Sequence, residues 1–252
     1  MDASRVERAR RLRPFFEIQL RFAQVLAAKG GRPFDDVVLR MTNLHRRFGL
    51  GTHDDAAQRP EWAAYAEGLR AAASLEAMVD WTEATFVRSP EEPEPEQVFG
   101  CFRYDPPWPD GEVRIHFNNR DGDGASPLAP AKRGRRLADL AAMFADVRAR
   151  HPDAQAVRGG SWLYNTAAYR RLFPPAFGAS RQPVEPVRLN GTSSWGQFLD
   201  HREEVKPAAR EAFLANLPAL DAAAPWRAFP LRALQTRAPI VDFYAFYGLA
   251  GD

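Results

Sequence analysis

The stretch KRGRRLADL, residues 132–140, places Lys132, Arg133, Arg135 and Arg136 directly ahead of a run in which Leu137, Leu140, Ala141, Phe144 and Val147 recur at helical spacing. The pattern predicts an amphipathic helix with cations crowded at its N-terminus. Backbone N–H groups there lack intrahelical partners and the helix dipole is positive, so each added cation costs about 0.3–1 kcal/mol unless an anion neutralises it. A phosphate or carboxylate bound at residues 133–138 would relieve both; long Arg side chains reaching into screened water would relieve the charge alone. Both readings are open on these residues. Upstream, EVRIHFNN (112–119) carries Glu112 and His116, side-chain types suited to taking a proton, although a partly buried, hydrogen-bonded structural role is the first expectation for His116. Downstream, GGSWLYNTAAYRRLF (159–173) reads as a strand that stops at Asn165 and passes at once to a short helix, a junction that presents backbone groups to a ligand when it is not simply an Asn cap on core residues.

Other reactive side chains form no set. His45, His53, His151 and His201 are scattered without ligand spacing, so no metal is expected. Cys101 is the sole cysteine, which excludes an internal disulfide and a thiolate zinc cluster and suits a buried thiol. Asp121-Gly-Asp123-Gly lacks the later carboxylates of a calcium loop and reads as a turn.

The elements that position these residues follow from periodicity and punctuation. Residues 6–29 predict a helix, with Pro14 in its first turn or at a kink; a second is expected from Pro33 to Gly49 and a third over 61–86. SPEEPEPEQ (89–97) predicts an extended connector. Strands are expected at 97–105 and 112–119, joined through Asp110-Gly111, and again at 154–164; FGASRQPVEPVRL is a candidate for another strand, residues 193–205 and 208–217 read as helical, and the chain closes with a strand near 229–237 and a helix from Pro239. The expected organisation is a helical subdomain (1–88), the connector (89–97) and an α/β domain (98–252). The expected class is α/β in the α+β sense: a helical N-terminal region, then a mixed, mostly antiparallel sheet flanked by helices.

The strand, loop, basic helix start, strand and Asn-led helix over 112–177 resemble the core of the GCN5-related N-acetyltransferases. That family's pyrophosphate loop reads Arg/Gln-x-x-Gly-x-Gly/Ala; Arg133, Arg136 and Ala138 fall on its first, fourth and sixth positions, with Arg136 where the family has Gly. Asn165 and Ala168 match the family's Asn-x-x-Ala, whereas Tyr169 comes earlier than the family's Tyr and Phe173-Pro174 replaces its Gly-Phe. The resemblance implies that acetyl-CoA or another acyl-CoA binds through the N–H groups of Arg133, Gly134, Arg135, Arg136, Leu137 and Ala138. It also implies that the strand before Asn165 splays to admit the pantetheine arm, and that Asn165 caps the helix or touches the cofactor. In that frame His116 or Glu112 deprotonates a small-molecule or peptide amine, and Tyr169 or Tyr164 protonates the leaving thiolate. His116 and Asp121 also share the H-x4-D spacing of glycerolipid acyltransferases, but those enzymes lack this strand–loop–basic-helix context.

Composition bounds the rest. The chain has 252 residues, 45% hydrophobic and 26% charged, with a formal net charge of +2. That is a globular balance, and it gives no bulk drive toward nucleic acid. An RNA-directed patch of Arg133, Arg135, Arg136, Arg170 and Arg171 is the weakest of the functional readings. The charged N-terminus reads as no signal peptide and no apolar run is long enough to span a bilayer, so a cytoplasmic protein without membrane association is expected. A second function class stays open: a non-catalytic interaction protein whose helical third docks a partner. The oligomeric state is not legible.

Overall fold

A computed structural model describes residues 3–91, 95–184 and 187–249 of the chain. The chain forms two compact units: Met1–Glu94 with Pro186–Arg232, and Pro95–Glu185 with Ala233–Asp252.

The first unit opens with α1 (Ala3–Gly30). Its buried stripe includes Leu12, Phe15, Phe16, Leu20, Ala23 and Leu26, and the helix continues through Pro14 rather than starting near it. The helix expected from Pro33 to Gly49 is two helices, α2 (Phe34–Met41) and α3 (Leu44–Arg47). The break has a buried cause: the Thr42 hydroxyl donates to the Val38 carbonyl at 2.6 Å, and the Asn43 N–H donates to Gln19 Oε1 at 2.9 Å instead of to an i−4 carbonyl. After α4 (His53–Ala57), the run expected over 61–86 also divides, into α5 (Pro60–Ala71) and α6 (Leu75–Arg88). Ser74 caps the second piece by accepting from the Ala77 N–H at 3.1 Å.

The second unit holds a mixed five-stranded sheet in the order β1-β2-β3-β5-β4. It runs from β1 (Phe102–Asp105) to β2 (Glu112–Phe117) through a six-residue loop, 106–111, in which Gly111 supplies the positive φ of 75° that the turn requires. The long helix α7 (Arg133–Arg150) leads to β3 (Ala156–Ser161), followed by α8 (Ala167–Arg170), α9 (Pro175–Ala179) and the two-residue β4 (Gln182–Pro183). The sheet is completed by β5 (Leu234–Pro239), and β2 and β3 are its parallel pair. The unit is thus α+β. Leu140, Phe144 and Val147 of α7 share one apolar core with Val113, Ile115, Val157 and Phe243.

Between β4 and β5 the chain belongs to the helical unit, which differs from the single 98–252 domain expected from sequence. That return carries α10 (Thr192–Trp195) and α11 (Pro207–Asn216); most of 193–205, expected to be helical, is instead a 3₁₀ turn and a bridge between Leu199 and Val205. Trp195 explains the return. Its ring is fully buried, meets Phe15, Phe22, Phe213 and Phe229 edge-on, and donates its indole N–H to the Leu189 carbonyl at 2.6 Å. An aromatic payload of that size outweighs the weak local signals of the segment. The chain ends in α12 (Ile240–Phe246), within the second unit.

One buried group in the helical unit makes the fold acid-sensitive. His45 is fully buried and neither ring nitrogen has a hydrogen-bond partner among the described residues. Burial first, then the nearby Arg46 and His53, lowers its pKa from 6.5 to about 3. Its neutral form therefore contributes stability that is complete above pH 6.5 and is lost as pH falls toward 3. Denaturant titrations should show about 3 kcal/mol of this stability lost by pH 4, and His45→Phe should flatten that dependence.

Candidate functional site

The parallel strands of the second unit are paired over only half their length. Register joins Glu112 to Ala156, Val113 to Val157 and Arg114 to Arg158, and then stops. Residues 115–117 keep their antiparallel pairing with β1, and 159–161 keep theirs with β5, so the two strands part between these halves. Backbone groups on the two facing edges are left outside the ladder, the arrangement that suits an extended amide-bearing ligand.

His116 lies on the unpaired half of β2. By alternation it shares a sheet face with Arg103, Asp105, Arg114 and Arg158, opposite the apolar face that packs α7. Its Nε2 lies 2.7 Å from Asp105 Oδ2, and Arg103 anchors the other carboxylate oxygen at 3.0 Å. A carboxylate only accepts, so Nε2 carries the proton and Nδ1 keeps a lone pair, without a partner among the described residues. Burial lowers the His116 pKa from its ordinary 6.5, overriding the opposite pull of Asp105. The imidazole is neutral at pH 7 and can accept a proton. Asp105, not Asp121, is the partner, so the H-x4-D spacing has no counterpart in space.

The other acid–base candidates separate. Glu112 sits four residues away, about 13 Å along the strand, on the paired half of β2, where Arg237 donates to its carboxylate and Arg158 lies at 3.9 Å. It does not share a site with His116. Tyr164 and Tyr169 are almost fully buried beneath the opposite face, with ring centroids 5.2 Å apart; burial pushes both phenols upward, so they stay protonated. The Tyr164 hydroxyl rests against Gly159, where a Cβ would overlap it, which places that hydroxyl at the unpaired half of β3. The glycine in GGSWLY thus makes room for a tyrosine.

The start of α7 corrects the expected phosphate loop. A 3₁₀ turn, Pro130–Lys132, precedes the helix, so the Lys132 N–H already donates to Ala129 and that of Arg133 to Pro130. Helical bonding occupies the N–H groups of Arg136, Leu137 and Ala138, leaving at most those of Gly134 and Arg135. The side chains are also committed. Lys132 binds Asp121 and Asp123, each at 2.7 Å; Arg136 is 1% exposed, pairs with Asp121 at 3.0 Å, lies 3.4 Å from Asp139 and donates to the Cys101 sulfur; Arg135 stands 3.5 Å from Asp121. Leu137 packs on the core and Ala138 is exposed. The anion that neutralises the helix start is the chain's own Asp121. Burial alone would raise that carboxyl, but the hydrogen bonds from Lys132 and Arg136 hold it below the ordinary range.

Arg133 is the exception. Its exposed side chain makes no hydrogen bond or ion pair among the described residues and lines a cleft of about 520 Å³ with Arg170, Arg171 and Arg181. Phe173 and Phe246 are among the apolar residues of the cleft wall. Asn165 is not the cap of α8, a position taken by Thr166; its side-chain amide donates to the Trp162 carbonyl at 2.7 Å. The strand ends earlier, at Ser161, whose hydroxyl accepts from the Leu163 N–H at 3.1 Å. The sequence pattern points neither to Asp105 as the partner of His116 nor to Arg181 in the cleft lining. Among the described residues no three His, Cys, Asp or Glu side chains gather as metal ligands would.

The chain matches no family model, no curated protein and no solved structure.

Proposed function

We propose that this chain is an acyl-CoA-dependent N-acyltransferase whose second unit is similar in its core to the GCN5-related N-acetyltransferases. The observation that carries the reading is the parting of β2 from β3 after three residue pairs, with His116 on the unpaired half of β2. Parallel strands that part in mid-sheet forgo backbone hydrogen bonds, and an amide-bearing arm laid between them restores such bonds.

The residues present fit such a cofactor in two places and not in a third. The opening suits the arm and the arginine cleft suits phosphates, whereas the α7 start is already neutralised by Asp121. Bound acyl-CoA would supply an activated thioester. Asp105 holds the His116 tautomer, and Nδ1 accepts the proton of an incoming amine. Tyr164 is buried beneath the opposite sheet face, where burial makes its phenol a weaker acid, so solvent water protonates the leaving thiolate. Glu112 has no part, because Arg237 occupies it.

Incubating the protein with acetyl-CoA and a panel of small amines and peptides should release free thiol together with an acetylated amine, read by mass spectrometry. Thiol release without an acetylated amine, or no turnover with acetyl- or longer acyl-CoAs, contradicts the reading. The partner-docking alternative gains no support. Exposed large apolar side chains among the described residues are Val98, Trp108, Val241 and Phe246, none of them on the N-terminal helices. No helix among the described residues is long and apolar enough to cross a membrane.

A further inference from the structure

We propose that the cleft between the start of α7 and the segment from α8 to β4 is a binding site for the phosphorylated end of an adenine nucleotide, gripped by the side chains of Arg133, Arg170, Arg171 and Arg181 rather than by backbone at a helix N-terminus. The site rests on the acyl-CoA reading for the source of its ligand, but its chemistry stands on the cleft itself.

Four guanidinium groups line one opening of about 520 Å³, and none of them pairs with a carboxylate among the described residues. The contrast with the neighbouring α7 start is sharp, since Lys132 and Arg136 there are met by Asp121 within one loop. Four like charges in one concavity repel one another and focus a positive potential, which an anion relieves. Three of the four are also fixed in place. Arg170 donates to the Tyr164 carbonyl at 2.9 Å, Arg171 to the Leu128 carbonyl at 3.3 Å and Arg181 to the Gly178 carbonyl at 2.8 Å. A guanidinium has five N–H donors, so each retains others for a ligand, and a side chain already held loses less freedom on binding. Arginine forks match phosphate oxygens two at a time.

The walls narrow the class of anion. Inorganic phosphate or diphosphate needs no apolar surface, yet Phe246 stands 39% exposed at this cleft, beside Phe173 and Pro175. An exposed ring beside a phosphate site offers a stacking surface to a purine. The shared chemistry is therefore a purine nucleoside bearing a diphosphate, with or without a further phosphate on the ribose, and the acyl-CoA reading makes that purine adenine. Free ADP and coenzyme A both carry it.

The test is calorimetric titration of ADP, dephospho-CoA, CoA, inorganic diphosphate and a single-stranded RNA into the full chain and into Arg133→Ala, Arg181→Ala and Phe246→Ala. Arg133 and Arg181 are exposed, and thermal melts of these variants should match the wild type. Each Arg variant should weaken CoA and ADP by about ten- to a hundred-fold. Phe246→Ala should weaken ADP while leaving diphosphate unchanged. CoA favoured over dephospho-CoA identifies the cofactor as the source, and equal affinity for the two and for ADP identifies a free nucleotide; either result upholds the site. Arginine-dependent ADP binding without any acyl transfer upholds the site and removes the acyltransferase reading. CoA binding that is indifferent to Arg133 and Arg181 overturns the site and leaves that reading standing. Binding of RNA alone, or of none of these, overturns the site.

Discussion

Replacing His116 by Gln is expected to lower kcat/KM for acyl transfer by about 10²–10⁴-fold, the contribution of a positioned general base, while changing the thermal midpoint little. Nδ1 of His116 is a basic side-chain lone pair on the unpaired half of β2 that is free at pH 7 and unpartnered among the described residues. The pH profile carries the sharper prediction. Burial holds the His116 pKa below 6.5, so kcat/KM should rise with pH through a limb below that value and be level near neutrality. Asp105 pulls the same pKa upward. Asp105→Asn should therefore move the limb to still lower pH, besides slowing the reaction through the loss of tautomer control. A purely structural His116–Asp105 pair would change stability and leave the limb in place.

The largest stability effect is expected at Arg136. Arg136→Gly removes a guanidinium that is 1% exposed and leaves Asp121, whose side chain is 2% exposed, with Lys132 and the solvent-exposed Arg135 as its remaining cations. Breaking one side of a buried pair costs about 3–5 kcal/mol, well above the roughly 1 kcal/mol that helix propensity alone would set. Chemical denaturation should show this loss. Asp121→Asn combined with Arg136→Met should recover much of it, because both charges are then gone. Nucleotide affinity should be unchanged in Arg136→Gly at temperatures where it remains folded, since the side chain faces Asp121 and Cys101 rather than the cleft.

Local chemistry was legible in the sequence where it is set by neighbours along the chain. The period of Leu140, Phe144 and Val147 locates α7, and alternation in EVRIHF locates β2. The α+β class follows from those elements. What was not legible is what distance in space decides. The cations of KRGRR left an anion site and solvated side chains both open because nothing periodic links them to RDGDG, yet Lys132 reaches Asp121, eleven residues upstream, across that loop. Asp105 and His116 are partners through strand register, which a one-residue slip would abolish. Residues 186–232 carry helix and turn signals that suit either unit; only the aromatic cluster around Trp195 decides their place. Asn165 looked like a cap by type, and Thr166, one residue on, takes that role.

The central claim is that the opening between β2 and β3 receives the arm of an acyl-CoA, and hydrogen-exchange mass spectrometry with and without saturating acetyl-CoA tests it most directly. Backbone amides within residues 115–117 and 159–161, at the unpaired halves of the two strands, should exchange more slowly in the complex, with little change in the paired halves at 112–114 and 156–158. Exchange that is unaltered at 115–117 and 159–161 while acetyl-CoA is demonstrably bound would contradict the account.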